Sequence, residues 1–335
     1  MTSVVRFGLI GTGRIGQVHA TNIAESADAT LQWVCDPFID GAAATAERFG
    51  GNVTTNARDV FAAGDVDAIV IASPTATHID LIAASLDAGI PVLCEKPIDL
   101  DIRRVERLRE RAAASGIPIA LGFNRRFDPH FADLHSRVLR GDIGRLEQLS
   151  ITSRDPAPPP ADYIPVSGGI FRDMTIHDFD MARFFVPHIV AVSAHGSTVF
   201  SPEIERHGDF DSAVVVLHGA AGELVTITNS RHSAYGYDQR LEAFGSTGLV
   251  QVGNVGTTLV RRWGADSVEA QAPYLDFFLQ RYAEAYRAEL AAFVRAVNGE
   301  PFAGAGFEDG RAALVLADAA AASAATGATV VVDLG

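Results

Sequence analysis

The run Gly11-Thr12-Gly13-Arg14-Ile15-Gly16 stands between an apolar stretch, residues 4–10, and a helical pattern, and it constrains the fold of this 335-residue chain more than any other segment. Glycines at this spacing behind a strand serve a tight turn, close backbone approach to a pyrophosphate and tight helix–strand packing. The amides of the following helix N-terminus then face the phosphates. Asp36 comes twenty positions after Gly16, behind a second apolar stretch, where a carboxylate accepts hydrogen bonds from ribose hydroxyls. Together these features predict a dinucleotide site built from Gly11, Thr12, Gly13, Arg14, Ile15, Gly16 and Asp36; a glycine-rich turn with an incidental acid is the plain alternative. Asp36 repels a 2′-phosphate, and Pro37 and Phe38 offer no positive charge to receive one, so NAD is the expected cofactor. Arg14 lies in the pyrophosphate turn and keeps NADP as the alternative.

Further apolar stretches at 31–35, 68–72, 91–94 and 119–121 are rich in Val, Ile, Leu and Ala, with helical patterns such as 77–88 and 103–114 between them. Near-continuous apolar strands alternating with helices mark parallel strands buried on both faces, so a doubly wound Rossmann sheet is expected. Past Pro129 the pattern changes. A helix to Arg140 and a strand over 146–153 precede a proline-rich loop, 156–160, too stiff for a helix or a central strand. Strand patterns recur at 190–199, 213–218, 224–229, 241–244, 249–252 and 258–262, then helices at 278–298 and 307–325 and a last strand at 329–332. The expectation is an α/β domain, residues 1–124, followed by an α+β domain, residues 125–335. The latter has a large, mostly antiparallel open sheet with flanking helices, and its C-terminal helix and strand are able to pack back towards the first domain.

A hydrophobic fraction of 48% with 20% charged residues fits an ordinary globular chain. The formal net charge of −14, without a Lys and Arg stripe, repels a phosphate backbone, so no nucleic-acid partner is expected. No apolar run is long enough to span a bilayer and no leader-like region opens the chain, so no membrane association is expected and the cytoplasm is the expected location. Cys35 and Cys94 each end an apolar strand, which favours buried reduced thiols over a disulfide.

Asp173 and His177 lie four apart in Gly168-Gly169-Ile170-Phe171-Arg172-Asp173-Met174-Thr175-Ile176-His177. On one helix that spacing puts both side chains on one face, where the carboxylate orients and polarises the imidazole into a general base. A structural histidine and a first-turn acid favoured by the helix dipole are the alternatives. Asp180 extends the face by another turn, as a substrate contact or as ordinary helix polarity. Asp173, His177 and Asp180 do not compose a metal motif, and no metal is expected. His19, His195, His218 and His232 have no comparable partner in the sequence. Two loops of the first domain follow strand ends, where ligands bind in open α/β sheets. Ala72-Ser73-Pro74-Thr75-Ala76-Thr77-His78 leads into a helix, with Thr77 placed to cap it. Cys94-Glu95-Lys96-Pro97 carries an ammonium which, near nicotinamide, stabilises a substrate oxygen; a solvated ion pair is the alternative.

With these motifs the chain resembles the glucose-fructose oxidoreductase/inositol dehydrogenase/MocA family over essentially its whole length. Gly122-Phe123-Asn124-Arg125-Arg126-Phe127-Asp128-Pro129, Thr152-Ser153-Arg154-Asp155-Pro156, Asp173-Met174-Thr175-Ile176-His177-Asp178-Phe179-Asp180 and Tyr235-Gly236-Tyr237-Asp238-Gln239-Arg240 carry the resemblance further, towards members acting on inositol. The resemblance implies Lys96, Asp173 and His177 as the catalytic set, with Ser73, Thr75, His78, Glu95, Lys96, Asn124 and Arg125 lining the cofactor pocket. It also implies a homotetramer assembled through the large sheet and a cis bond before Pro97.

The activity so implied is NAD-linked oxidation of a ring secondary alcohol of a small-molecule polyol, myo-inositol first, in a cleft shared by both domains. His177 takes the hydroxyl proton, Asp173 orients it and Lys96 stabilises the reacting oxygen. Selecting one hydroxyl pattern among epimers takes several hydrogen-bonding groups, so Asn124, Asp155, Tyr235 and Tyr237 join Lys96, Asp173 and His177 as candidate substrate contacts. Tyr235 and Tyr237, two apart, share one face of a regular strand, for substrate or for cross-strand packing. Other readings are a dehydrogenase of scyllo-inositol or glucose, a redox glycosidase that recycles bound NAD, and a ligand-sensing regulator, against which the intact catalytic set speaks.

Overall fold

The computed structural model describes residues 3–335, which divide into two compact units. One comprises the chain through Phe127 with Glu284–Leu314; the other comprises Asp128–Ala283 with Val315–Gly335.

In the first unit β1 (Val5–Ile10), α1 (Arg14–Glu25), β2 (Ala29–Cys35), α2 (Ile39–Phe49), β3 (Asn52–Thr54), α3 (Ala57–Ala62), β4 (Ala68–Ile71), α4 (His78–Ala88), β5 (Val92–Cys94), α5 (Ile102–Ser115) and β6 (Ile119–Leu121) alternate. The strands are all parallel, in the order β3-β2-β1-β4-β5-β6. This is the doubly wound sheet expected. Every residue of β4 and β5 is buried, which is why these strands read as unbroken apolar runs. From β1 the chain turns to β2 on one side and reaches β4 on the other, so the ligand crevice of such a sheet opens at the carboxyl ends of β1 and β4. Phe7, Leu9, Leu31 and Val34 form one core with Leu290, Phe293 and Val294, and the Phe7 and Phe293 rings lie 6.2 Å apart. Asp101 caps α5, its carboxylate accepting from the Arg103 amide at 2.9 Å. Thr77 does not cap α4 through its side chain: its hydroxyl donates to the Pro74 carbonyl at 2.8 Å, inside a short 3₁₀ turn.

The chain continues as α6 (Pro129–Leu139), β7 (Leu146–Arg154), α7 (Ile170–Asp173), α8 (Ile176–Phe185), β8 (Ile189–Ser197), α9 (Pro202–Arg206), β9 (Ser212–Gly219), β10 (Leu224–Ser230), β11 (Asp238–Gly245), β12 (Gly248–Val252), β13 (Arg261–Arg262), β14 (Ala270–Gln271), α10 (Phe278–Arg281), α11 (Ala283–Val297), α12 (Phe307–Thr326) and β15 (Val330–Val331). Seven of these strands make one sheet, β12-β11-β7-β10-β9-β8-β15, antiparallel except for the β7–β10 pair. Along β10 the side chains alternate, with Val225, Ile227 and Asn229 buried and Leu224 and Thr226 exposed. On the sheet's flanks α8 packs against β7 and α6 against β12. Asp128 caps α6 by accepting from the His130 and Phe131 amides, and Pro129 opens the helix.

Two expectations for this region are corrected. The helix expected at 278–298 is broken at Tyr282 into α10 and α11, because that buried side chain, at φ −114°, meets the Tyr237 ring and donates to Gln239 Oε1 at 3.1 Å. The strand expected at 258–262 shrinks to β13. Its neighbours Leu259 and Val260 are exposed, and among the described residues only β14 pairs with it.

Candidate active site

The residues expected at the cofactor follow strand ends of the first unit: Gly11 after β1, Asp36 after β2, Ser73 and Thr75 after β4, Glu95 and Lys96 after β5, Asn124 and Arg125 after β6. Gly11 has φ +100°, and a Cβ there would come within 2.5 Å of the Ala72 and Ser73 backbone, so the two turns meet only because it is glycine. A Cβ on Gly16 would lie 2.2 Å from the Gly11 carbonyl, whereas one on Gly13 would meet nothing within 4 Å. Thr12, Arg14 and Ile15 complete this turn. Gly13 caps α1 with no side-chain hydrogen bond, so the first-turn amides keep their donors for an anion. Asp36 Oδ2 accepts from the Thr12 amide at 2.9 Å and the Thr12 hydroxyl at 2.8 Å, and Oδ1 accepts from the Phe38 amide at 2.9 Å. These bonds fix the carboxylate and leave it lone pairs for ribose hydroxyls. The residues present fit NAD.

The Lys96–Pro97 bond is cis. Lys96 is half-buried beside the buried Glu95, whose Oε1 lies 2.8 Å from His19 Nε2. A Cβ on Gly122 would approach Glu95 Oε2 to 2.9 Å, so glycine lets the turn after β6 close over that carboxylate. His78 is buried, its Nδ1 2.7 Å from the Pro97 carbonyl and its Nε2 2.9 Å from the Ser73 carbonyl. Burial pushes His78 below the ordinary imidazole value, against the two carbonyls that favour its protonated form; the neutral ring donates to one of them and lies against the other, between the turn after β4 and the turn after β5. Asn124 and Arg125 are buried in a 3₁₀ turn, Asn124–Phe127. Asn124 Nδ2 has no hydrogen-bond partner among the described residues, which makes it a buried donor available to a bound group.

In the second unit Asp173 ends α7 and His177 stands in the first turn of α8. They do not share one continuous helix, as the spacing had suggested. The Met174 and Thr175 amides both reach the Ile170 carbonyl at 2.9 Å, and the Thr175 hydroxyl donates to Asn229 Oδ1 on β10 at 2.6 Å. This tie to the sheet widens the turn, so the two residues flank a break. Asp173 is nonetheless held firmly: Tyr163 Oη donates to its Oδ1 at 3.0 Å and Arg231 Nη1 to its Oδ2 at 3.1 Å. Burial and the Asp173 charge push the Tyr163 phenol well above its ordinary value, keeping it a donor. His177 is positioned through its neighbour Asp178, whose Oδ1 accepts from Ser153 Oγ on β7 at 2.6 Å and whose Oδ2 accepts from Asn229 Nδ2 at 2.7 Å. The start of α8 is thereby fixed to two strands.

Asp180 is buried and Asp155 is half-buried, its amide donating to the Ser230 carbonyl at 2.9 Å. Tyr235 and Tyr237 precede β11 and do not share a strand face. Tyr235 is exposed and its hydroxyl donates to Asp238 Oδ2 at 2.9 Å, while Tyr237 is buried with its ring edge-on to Phe277 and Tyr282. The positive φ of Gly236, +108°, turns the chain between them. Sequence reasoning missed Tyr163, Arg231 and the anchoring role of Asp178. Its one available signal was Gly168-Gly169, since Gly169 has φ +82° and a Cβ there would lie 3.0 Å from Asp209 Oδ1, in the same cluster.

Residues 5–123 match the oxidoreductase family with an NAD-binding Rossmann fold, and residues 131–251 match the GFO/IDH/MocA C-terminal domain. The chain is 47% identical over 323 residues to the inositol 2-dehydrogenase of Rhizobium meliloti strain 1021, covering 96% of this chain and 97% of that protein. Its fold superposes with a TM-score of 0.95 on the crystal structure of a myo-inositol dehydrogenase from Corynebacterium glutamicum, at 53% identity over 98% of this chain and 99% of that one. A scyllo-inositol dehydrogenase from Lactobacillus casei, solved with bound NAD(H) and scyllo-inositol, gives a TM-score of 0.91 at 28% identity, covering 98% of this chain and 99% of that one. The chain belongs to the glucose-fructose oxidoreductase/inositol dehydrogenase/MocA family of NAD-dependent oxidoreductases.

Proposed function

We propose that this chain oxidises a ring secondary alcohol of myo-inositol to 2-keto-myo-inositol, with Lys96, Asp173 and His177 as its catalytic residues. The observation that carries the reading is the firmly held carboxylate of Asp173, four positions before His177 at the anchored start of α8, in a chain 47% identical to an inositol 2-dehydrogenase. When bound, NAD accepts the hydride released from the carbinol carbon. The amides of the glycine turn hold its pyrophosphate, Asp36 its adenosine ribose, and Asn124 offers a donor.

His177 takes the proton of the reacting hydroxyl, and Asp173, fixed through both carboxylate oxygens, orients the imidazole and stabilises its protonated form. Lys96 donates to the reacting oxygen as negative charge develops there. Asn124, Asp155 and Tyr235 are proposed to read the remaining hydroxyls, while Tyr237 serves as aromatic packing against Phe277 and Tyr282. An L. casei relative is a scyllo-inositol dehydrogenase, so that isomer is the nearest second substrate. The reading also takes the chain to be a homotetramer in the cytoplasm. Exposed Val214, Leu224, Phe244 and Leu249 on one face of the large sheet support assembly there, and two buried free thiols suit a reducing compartment.

The test is a polyol panel containing myo-inositol, scyllo-inositol and glucose, assayed with NAD by NADH absorbance. Myo-inositol should give the largest kcat/KM, and Lys96→Ala and His177→Ala should each lose at least about 10²-fold. Release of aglycone from an added aryl glycoside without net NADH would favour a redox glycosidase, and no turnover of polyol or glycoside would favour a regulator.

A further inference from the structure

We infer that Arg231 is a positioning residue of this reaction, sharing one buried guanidinium between two carboxylates so that Asp173 is presented to His177. The inference deepens the dehydrogenase reading above and rests on it. Arg231 follows β10 and is only 1% exposed. Its Nη1 donates to Asp173 Oδ2 at 3.1 Å and its Nη2 to Asp209 Oδ2 at 3.2 Å. Asp209 in turn accepts, at Oδ1, from the Ile170 amide at 2.8 Å. Ile170 begins α7 and Asp173 ends it, so one arginine cluster holds both ends of that single turn. The Arg231 amide donates to the Asp211 carbonyl at 2.8 Å, which fixes where the side chain starts.

Two observations point beyond a structural ion pair. A buried charge pair is weak evidence for stability in itself, since a well-packed apolar replacement often serves as well. Here, however, the planar fork of arginine is used to bridge two acceptors, which a lysine ammonium on its flexible stem does poorly. Charge is the second point. Asp173, Asp209 and Arg231 together carry one net negative charge, the sign that favours the proton His177 gains. Without the guanidinium the two carboxylates repel each other, and Asp173, whose side chain is 16% exposed, is free to turn towards water. Tyr163 Oη, on the other Asp173 oxygen, fixes the plane of the carboxylate.

The experiment compares Arg231→Gln and Arg231→Lys in the wild-type and Asp173→Asn backgrounds, reading kcat, polyol KM and thermal midpoint, with single-turnover rates where steady state is too slow. Arg231→Gln should lower kcat by about 10²-fold with KM moving less than about 3-fold. Arg231→Lys should regain about tenfold of that loss. In the Asp173→Asn background Arg231→Gln should change kcat by less than about 2-fold, because the group it positions is gone. An equal loss in both backgrounds, or wild-type kcat in Arg231→Gln, overturns the inference. If Arg231→Gln does not fold, Arg231→Lys read in the same two backgrounds decides by the same criterion. If the wild type turns over no polyol, the dehydrogenase reading fails; a urea-unfolding cycle on residues 231 and 173 then tests the link, and no coupling energy overturns it.

Discussion

His19 Nε2 lies 2.8 Å from Glu95 Oε1, and this buried pair joins the helix behind the glycine turn to the residue before Lys96. The Tyr286 ring meets the imidazole edge-on, with centroids 6.0 Å apart, and seals the pair on another side. His19→Ala strands a buried carboxylate without this donor, so it should cost about 1–3 kcal/mol and lower the urea midpoint at unchanged slope. Glu95→Gln keeps an acceptor and should cost less. Equal stability of His19→Ala and wild type would show that the pair contributes nothing.

Asp36 is expected to set cofactor choice. Asp36→Ser removes the charge that repels a 2′-phosphate and keeps a hydroxyl. The kcat/KM ratio of NADP to NAD should then rise by about tenfold or more, as expected for losing a near-surface charge repulsion. Steady-state kinetics with both cofactors measures it, and an unchanged ratio would move the discrimination elsewhere in the turn.

Asp178 anchors the start of α8 through Ser153 and Asn229. Asp178→Ala leaves the Asn229 side-chain amide without its acceptor in a buried site and leaves the Ser153 hydroxyl with Gln239 Oε1 at 3.1 Å, and should cost about 1–3 kcal/mol together with a fall in kcat larger than any rise in KM. Denaturant unfolding and kinetics on the same preparation read both effects. Full activity would detach His177 from this anchor.

Burial, reinforced by Asp36, pushes Cys35 from its ordinary value of 9.0 to about 11, and burial with Glu95 pushes Cys94 up as well. Between pH 9 and about 11 the folded chain still holds the Cys35 proton while the unfolded chain has lost it. Stability is therefore full below pH 9 and falls as pH rises through that window. Cys35→Ala should flatten this alkaline loss, measured as urea midpoints at about pH 8 and about pH 10.5. Native enzyme near neutral pH should react slowly with thiol reagents at both cysteines and quickly once unfolded.

The dinucleotide unit was legible because its signals are local: three glycines, a strand before and a helix after them, and an acid at the next strand end. Asp173 and His177 stood out by residue type and spacing, but their geometry was not legible. The helix between them breaks through the hydrogen bond from Thr175 to Asn229, 54 positions on, and no periodicity reports a tie of that range. Arg231 reaches Asp173 across 58 positions, and a lone arginine after a strand reads as a surface charge. Tyr235 and Tyr237 show the same limit at short range, where one glycine with a positive φ sends neighbours that looked equivalent into water and into the core.

The first unit takes α11 and the start of α12 from residues 284–314, after six of the seven strands of the large sheet have been made. On the ribosome all six parallel strands exist once Leu121 has emerged, yet Phe7, Leu9 and Leu31 still lack Leu290, Phe293 and Val294. Synthesis order and maturation order are therefore reversed: the N-terminal half waits, apolar face bare, for the C-terminal half to be translated. A nascent chain arrested before residue 284 should be a client of chaperones, and fragments that stop at the end of the sixth strand are poor starting points for an isolated NAD-binding module.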